Sequence, residues 1–411
     1  MPPLILSFPD ARARVEEIAA QLPKPEAELC DLLLASGRIL AEAVVADRDF
    51  PPFPRATRDG YAVRAADVAS VPAALKVVGE IRAGGPPQIL EIRGGECAEI
   101  MTGAPVPSTA DAVVMVEYTS RAGDDVEIKR GVSAGENVVP AGAEAKRGDT
   151  LLCPGTRLKP AAIAVAGSCG YHQLRVYIRP SVAILSTGDE LVDVASEPAA
   201  NQIRNSNSYS LAAQVTAAGG VPVVLPIAAD ELTRLRHLIE QGLSSDLLLL
   251  SGGVSMGKYD LVEQVLAEVG AEFFFTGAEI QPGRPIVFGR ASAHAGAKPT
   301  CFFGLPGNPV STMVCFELFA RTIVEALGGA APRKLQFTQA RLKSDVKVKT
   351  GLTRFLPAHL TGAYDRTEVE LLKWQGSGDM AATARSNCYL VVPPDCERIQ
   401  AGETVSVFIP S

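Results

Sequence analysis

The sequence predicts a multidomain protein of the α/β plus β class, built around a central and mostly parallel sheet. With 411 residues, the chain is long enough for several domains of about 100–200 residues each. Between residues 179 and 329, short apolar runs alternate with helical periodicity, a pattern typical of βαβ units. Before and after this segment, short alternating runs separated by glycine and proline indicate β-rich modules.

The first 178 residues predict a helical unit that is interrupted by a β-rich insert at 49–148. Residues 1–48 and 149–178 carry apolar residues at helical spacing, so we expect these two flanks to meet in space. The predicted helices are 11–22, 25–41 and 159–170. The predicted strands of the insert are 75–81, 96–101, 112–118 and 126–129.

The central segment, 179–329, predicts strands covered on both faces, because the runs at 182–185 (VAIL) and 247–250 (LLLL) are wholly apolar. Its predicted strands are 182–185, 221–227, 246–250, 272–276 and 301–305, and its predicted helices are 206–218, 230–241, 260–269 and 310–327. Residues 330–411 return to short strands, which indicate a small barrel or sandwich. These strands are 334–342, 355–360, 368–372, 388–392 and 404–409.

The composition argues against several classes of protein. The formal net charge is −7, whereas general binding to nucleic acid or to an anionic membrane needs a basic surface. The eight cysteines show neither CxxC spacing nor a zinc-site pattern, so we interpret them as reduced thiols of a cytoplasmic protein. The N-terminus does not resemble a secretory signal, and the apolar stretch 161–170 is shorter than the ~20 residues that a membrane span needs.

Three loops of the central segment predict a ligand site, because ligands of parallel α/β sheets bind at the carboxyl ends of the strands. The loops are 186–190 (STGDE), 251–260 (SGGVSMGKYD) and 304–311 (GLPGNPVS). Their glycines let backbone N–H groups approach an anion, and helix N-termini add partial positive charge. Glu190 and Asp260 supply hard oxygen ligands that suit Mg²⁺ bridged to a phosphate. These features predict a nucleotide or phosphoanhydride site.

Each of these features also has a purely structural explanation. A glycine-rich loop is by itself a tight turn, Glu190 alone is a solvated loop residue, and Asp260 alone is a helix N-cap. In the insert, Asp59 before a glycine is a turn signal, or else a third carboxylate for a metal or leaving group. The presence of three such loops at consecutive strand ends favours a binding site over coincidence.

The motifs taken together resemble a known family. TRDGYAVRAAD, EIMTGAPVPSTADAVVMVE, AILSTGDELV, LLLLSGGVSMGKYD and FGLPGNPVSTMVCFELF occur in this order. They are similar to the motifs of molybdopterin molybdotransferases, the MoeA family, which includes the E domain of gephyrin. The resemblance covers essentially the whole chain.

The resemblance implies a central domain of the molybdenum-cofactor-biosynthesis type and a C-terminal β-barrel. It also implies a homodimer with its active site between the insert of one subunit and the α/β domain of the other. The implied reaction takes adenylylated molybdopterin and molybdate, cleaves the phosphoanhydride with Mg²⁺, releases AMP and leaves molybdenum on the dithiolene sulfurs. Molybdopterin adenylyltransferase and recipient molybdoenzymes are implied as further partners.

The resemblance further implies the site residues. Asp59, Glu190 and Asp260 match acidic motif positions, which implies catalytic roles for all three and magnesium binding by Glu190 and Asp260. The implied substrate-binding residues are Thr102, Glu144, Thr187, Gly188, Gly252, Gly253, Ser255, Arg284, Pro306, Pro309, Ser311 and Ser377. Among these, Ser255, Arg284 and Ser311 are expected to form an oxyanion pocket for molybdate.

Three positions depart from the family pattern. Ala56 and Arg58 stand where many members have Ser and Met, and Gln281 stands where many have Lys. Our hypothesis is that Arg58 compensates for the charge missing at Gln281. The alternatives to molybdate insertion are a tungstate-preferring paralogue, a molybdopterin adenylyltransferase and a non-catalytic, gephyrin-like scaffold.

Overall fold

The N-terminal helix packs between the central and the C-terminal parts of the molecule. The structure, a computed structural model, describes residues 4–85, 90–229, 231–252, 261–294 and 296–410. The helix Phe8–Gln21 lies where the sequence predicts one, and the side chain of Ser7 caps it. The ring of Phe8 lies 6.1 Å from that of Phe319 and 5.0 Å from that of Phe355. One helix therefore contacts two other parts of the chain.

The predicted helix at 25–41 is wrong. The structure has the strand Ala27–Asp31 followed by the short 3₁₀ turn Leu32–Leu34. The strand pairs antiparallel with the distant segment Gln173–Tyr177, and this tertiary pairing overrides the local helical spacing. The apolar residues that suggested a buried helical face do not form one, because Leu33 is 90% exposed.

The two flanks of the insert do meet, chiefly through strand pairing rather than through helices. Besides the pair just described, Val44–Val45 pairs with Thr150–Leu152. The helix Pro160–Ser168 lies within the predicted segment 159–170. Its buried alanines share a small apolar core with Leu40 and Leu174, so residues from before and after the insert form one packed unit.

A six-stranded sheet makes up most of the insert. Its strands, in spatial order, are Ala112–Met115, Gly60–Val63, Glu96–Ile100, Ala73–Ile81, Asp125–Ile128 and Thr119–Ala122. A further short pair joins Arg55–Ala56 to Val138–Val139. The strand Gly60–Val63 is not predicted from the sequence, because Asp59 followed by glycine is a turn signal. All four residues of this strand are buried. A Cβ atom on Gly60 would lie 1.9 Å from the carbonyl oxygen of Val114, so this close pairing requires glycine.

A second six-stranded sheet forms the centre of the molecule and confirms the predicted, mostly parallel arrangement. Its strands, in spatial order, are Val221–Val224, Ser181–Ser186, Leu247–Ser251, Thr300–Leu305, Val287–Ala291 and Glu272–Phe275. The first four are parallel to one another, and Val287–Ala291 is antiparallel to both of its neighbours. Val287–Ala291 is not predicted from the sequence. At the edge, Val221–Val224 contains Pro222 and has three exposed valines.

Helices cover both faces of this sheet and explain its apolar runs. They are Ser206–Ala218, Leu232–Gly242, Leu261–Glu268 and Pro309–Cys315, the last continued by the π-helical turn Phe316–Ala320 and by Arg321–Leu327. Leu247 and Leu249 enter one core, while Leu248 and Leu250 enter the core on the opposite face. Each of these four positions must therefore be apolar. Among the described residues, no helix is both long and apolar enough to cross a membrane.

The C-terminal strands close into a barrel, which decides between the barrel and the sandwich that the residue pattern left open. In order around the barrel they are Thr353–Ala363, Arg366–Leu371, Phe337–Leu342, Thr404–Phe408 and Cys388–Val392, and the last pairs back onto the first. The helix Met380–Arg385 lies in the connection before the strand Cys388–Val392. Val346–Lys347 and Arg398–Ile399 form a small additional pair.

Buried charges connect the parts of the chain. Arg321 donates two hydrogen bonds, of 2.7 and 2.9 Å, to the carboxylate of Glu317 one turn earlier. The nearby carboxylate of Glu325 accepts two hydrogen bonds from Arg333, a residue just before the barrel. The same carboxylate lies 3.6 Å from the guanidinium of Arg157, a residue that follows the insert. Because Glu317, Arg321 and Glu325 are buried, each of these three charges requires its partner.

Replacing Phe303 tests the packing of the central sheet. Phe303 is fully buried and stacks on Phe288 with ring centroids 4.4 Å apart. We expect Phe303→Ala to lower the free energy of unfolding of this part by about 3–5 kcal/mol, since it leaves a cavity between close-packed rings. The matched control, Phe337→Ala, removes a ring that is 46% exposed and should cost much less. Urea denaturation followed by circular dichroism measures both, and equal losses would contradict this account of the core.

Candidate functional site

Three parallel strands of the central sheet end at the same level. Their register places Ser186 beside Ser251 and Ser251 beside Leu305. The loops that follow therefore leave the sheet at one edge, where α/β proteins bind ligands. The described residues of these loops and the N-terminus of the helix Ser206–Ala218 line a cleft of about 460 Å³, which we call the strand-end cleft.

The strand-end cleft brings together part of the predicted site. The predicted residues that line it are Thr187, Gly188, Glu190, Gly252, Pro306 and Pro309. Gly253, Ser255 and Asp260 lie outside the described residues. We expected the three loops to lie at one rim of the sheet. The first loop, the third loop and the start of the second do lie there.

The carboxylate of Glu190 folds back over the backbone of its own loop. A Cβ atom on Gly188 would lie 2.4 Å from Glu190 Oε2, so glycine leaves the space that the carboxylate occupies. The carbonyl of Glu190 accepts a hydrogen bond from Ile203 N, which fixes the backbone, while the residue itself is exposed. Within the described ranges, no group of three or more His, Cys, Asp or Glu could hold a metal ion. Among the described residues that line the cleft, Glu190 is the one that carries a carboxylate.

Gly252 allows the first and second loops to touch. It has a φ of +89°, and a Cβ atom on it would lie 2.6 Å from the carbonyl oxygen of Thr187. The loops are also joined by a hydrogen bond of 3.0 Å from Thr187 N to the carbonyl of Ser251. A side chain at Gly252 would push these two loops apart.

Sequence reasoning missed the asparagines at the start of the helix Ser206–Ala218. Asn205 caps the helix by accepting a hydrogen bond from Ser208 N, and it also bonds the hydroxyl of Ser186. Asn207 lines the strand-end cleft and donates to Ser251 Oγ and to the carbonyl of Gly307, both at 2.8 Å. The sequence signal was the run NSNS at 205–208, which indicates a capped helix N-terminus.

The barrel reaches the third loop through the segment that contains Ser377. The carbonyl of Ser377 accepts a hydrogen bond of 3.0 Å from Val310 N, at the start of the helix Pro309–Cys315. Ser311 follows on that helix and is buried. A Cβ atom on Gly283 would lie 2.3 Å from Cys315 Sγ, so the loop that carries the exposed Arg284 packs against the same helix.

Asp59, Thr102 and Glu144 belong to the insert, and within the described part of this single chain none of them lines the strand-end cleft. Asp59 Oδ1 accepts hydrogen bonds from Thr102 N at 2.7 Å and from Thr102 Oγ1 at 2.9 Å. These two hydrogen bonds hold the pKa of Asp59 below its usual value, and the bond from the backbone N–H has the larger effect. Glu144 forms an ion pair of 2.9 Å with Arg55.

The departures from the family pattern occupy two different environments. Ala56 is buried in a strand of the insert, and Arg58 is exposed, with Nη1 3.5 Å from the carbonyl of Thr57. Gln281 accepts a hydrogen bond through Oε1 from the guanidinium of Arg354. Arg354, a buried barrel residue that sequence reasoning missed, has a pKa lowered by desolvation.

The fold and the site together define a multidomain α/β protein with a ligand-binding architecture. Its mostly parallel central sheet has a glycine-lined cleft at the strand ends and is joined to a β insert and a closed barrel. Residues 6–170 match the MoeA N-terminal region (domain I and II), 183–326 a probable molybdopterin binding domain, and 339–409 the MoeA C-terminal region (domain IV). The chain is also 36% identical to a molybdopterin molybdenumtransferase of Nostoc, over 97% of this chain and 93% of the relative. The chain therefore belongs to the MoeA family of molybdopterin molybdenumtransferases.

Other relatives agree with this assignment. A molybdopterin molybdenumtransferase of Bacillus subtilis is 33% identical, with 90% of this chain and 87% of the relative covered. The crystal structure of a molybdopterin biosynthesis MoeA protein from Pyrococcus horikoshii OT3 matches with a TM-score of 0.80 and 28% identity, covering 98% of this chain and all (100%) of that chain. The similarity thus extends over the whole architecture.

Replacing Gly252 tests whether the loops must touch. We expect Gly252→Ala to lower the thermal unfolding midpoint more than Gly402→Ala does. Both glycines have a φ of +89°, but a Cβ atom at Gly402 would meet nothing within 4 Å. The backbone strain is therefore common to both variants, at about 1–3 kcal/mol, and only Gly252→Ala adds a collision. Equal midpoints measured by differential scanning calorimetry would count against the close contact.

The hydrogen bonds to Asp59 predict a pH effect. Thr102→Val removes the hydroxyl donor and keeps the backbone donor, so the pKa of Asp59 should rise part of the way to its usual value. In the unmodified protein, Asp59 stabilises the insert above the usual carboxyl pKa and loses this effect as the pH falls through its lowered folded value. Carbon-13 NMR titration of the carboxylates measures the shift. Asp379, whose pKa is lowered by other backbone donors, should not move.

Proposed function

We propose that this protein inserts molybdate into adenylylated molybdopterin, with cleavage of the phosphoanhydride and release of AMP. The observation that carries the proposal is the level ending of three parallel strands at a cleft lined by Thr187, Gly188, Glu190 and Gly252. Backbone N–H groups in such glycine loops suit phosphate oxygens. The names of the relatives support the transfer of molybdenum to molybdopterin.

We further propose that Glu190 and Asp260 hold the Mg²⁺ that the reaction needs. The carboxylate of Glu190 fits this role, because it lies exposed at the rim of the cleft and offers two hard oxygens. When bound, Mg²⁺ would neutralise charge on the phosphate oxygens and so favour departure of AMP. The main-chain groups of the glycine loops would hold the substrate phosphates against the carboxylate.

Asp59, Thr102 and Glu144 are proposed to act on the cleft of a second subunit, which makes the enzyme a homodimer. This proposal is supported by the state of Asp59, which is exposed and whose carboxylate is held in place by two hydrogen bonds from Thr102. A fixed carboxylate can orient the substrate without conformational rearrangement during the reaction. Catalysis would then rest on positioning and electrostatic stabilisation.

Molybdate is proposed to bind beside the third loop, through Ser255, Arg284 and Ser311. Support comes from the packing of the Arg284 loop against the helix that carries Ser311, and from the nearby Ser377 segment. Arg354 offers a guanidinium next to Gln281 and is thus a second source of the charge missing there. The compensation by Arg58 stays a prediction.

We propose that residues 1–48 with 149–178, 49–148, 179–329 and 330–411 act as four domains, since the elements group in this way along the chain. We place the enzyme in the cytoplasm, where thiols stay reduced, because all eight cysteines are free. Molybdopterin adenylyltransferase would supply its substrate, and molybdoenzymes would receive its product.

Turnover of the purified protein tests the proposed function. With adenylylated molybdopterin, molybdate and Mg²⁺, we expect AMP release that depends on molybdate, measured by anion-exchange chromatography. A parallel reaction with tungstate measures the oxyanion preference. Synthesis of adenylylated molybdopterin from ATP would identify an adenylyltransferase instead, and binding without turnover would favour a scaffold.

Removing the charge of Glu190 tests its role. We expect Glu190→Gln to slow AMP release by about 100-fold or more, which is the order of loss when one preorganised electrostatic group is removed from an active site. Glu197→Gln, a charge change at an exposed position a few residues later, is the matched control and should leave the rate unchanged. The proposed role is wrong if both variants turn over at the same rate.

A further inference from the structure

Two buried polar atoms of the strand-end cleft have no hydrogen-bond partner in the part of the chain that the structure describes. They are Thr187 Oγ1 and Asn207 Oδ1, and both residues line the cleft. Thr187 is 3% exposed, so its hydroxyl has little access to bulk water. Buried polar groups are normally paired, because an unpaired one keeps the cost of its lost hydration. A pair of such atoms in one cleft indicates a ligand that satisfies them.

The orientation of the Asn207 amide is fixed by its neighbours. Its Nδ2 donates to the carbonyl oxygen of Gly307, which can only accept, and also to Ser251 Oγ. Rotating the amide by half a turn would place Oδ1 2.8 Å from that carbonyl oxygen and replace a hydrogen bond with a repulsion. Oδ1 is therefore the unpaired atom, and it can only accept.

Ser251 connects the two unpaired groups. Its side chain accepts from Asn207, and its main-chain carbonyl accepts from Thr187 N. Asn207 thus joins the second and third loops at Ser251 and Gly307, while Thr187 belongs to the first loop. A ligand that pairs with Asn207 and Thr187 would therefore bind to the first loop directly, and to an amide that is itself bonded to the second and third loops.

We infer that Asn207 Oδ1 and Thr187 Oγ1 form a subsite that receives an N–H or O–H donor of the substrate. This inference rests on the proposed function and deepens it, since it names the chemistry by which one polar edge of the substrate is recognised. The substrate offers two sources of such a donor, the adenosine part and the pterin part. A ligand without the donor would leave Oδ1 buried and unpaired, so the subsite selects against it.

A second amide on the same helix provides a matched control. Gln214 lies two turns after Asn207, and its Nε2 donates to the carbonyl of Met313 at 3.1 Å and to Glu317 at 2.8 Å. Its Oε1 is also buried without a partner among the described atoms, but Gln214 does not line the cleft. Replacing each amide with leucine removes the same groups from two places, only one of which faces the substrate.

Calorimetric titration of the full-length protein with AMP and, separately, with molybdopterin under anaerobic conditions tests the subsite. We expect Asn207→Leu to raise the dissociation constant of one of these two probes by about tenfold or more, and Gln214→Leu to leave both within about twofold. Loss of AMP binding assigns the donor to the nucleotide, and loss of molybdopterin binding assigns it to the pterin. Thermal denaturation shows that each variant is folded.

A third variant separates ligand binding from the link between loops. Ser251→Ala removes one acceptor of Nδ2 and keeps Oδ1, so it should weaken binding less than Asn207→Leu. Equal weakening by the two variants would reduce Asn207 to a structural link and overturn the subsite. Unchanged binding of both probes to Asn207→Leu would overturn it as well, while the proposed function stood. Failure of the unmodified protein to bind either probe would overturn both.

Discussion

The structure depends on the register of three parallel strands. Because of this register, the strands Ser181–Ser186, Leu247–Ser251 and Thr300–Leu305 end at the same level. Everything at the strand-end cleft follows from this alignment. A shift of one strand by a single residue would turn its side chains to the opposite face and would move its loop out of line with the others. Each of these strands sends alternate apolar residues into two separate cores, so a shift would also change which side chains fill each core.

The cleft is held open by interactions that do not involve a ligand. Gly252 lets the first two loops touch, and the Asn207 amide joins the second loop to the third. The barrel contributes the Ser377 carbonyl to the start of the helix Pro309–Cys315. The loops are therefore positioned before the substrate binds, so binding loses little conformational entropy by ordering them.

Strongly periodic or wholly apolar segments were the most predictable parts of the molecule. The helix Ser206–Ala218 matches its predicted bounds, and the LLLL run is the central strand that it predicts. The segment 25–41 was mispredicted because its pairing partner, Gln173–Tyr177, is far away in sequence. Motifs located Glu190 and Gly252, but Asn207 and Arg354 were missed, since their roles depend on contacts with Gly307 and Gln281 that no local pattern encodes.

The two kinds of sheet differ in how they end, and this difference bears on self-association. A closed barrel has no free edge, whereas the central sheet ends at Val221–Val224 with a row of apolar side chains in solvent. Pro222 sits in this last strand and cannot donate an amide hydrogen to an incoming chain. A proline at this position opposes aggregation, because it interrupts the hydrogen-bond ladder through which a strand of another molecule would add to the sheet.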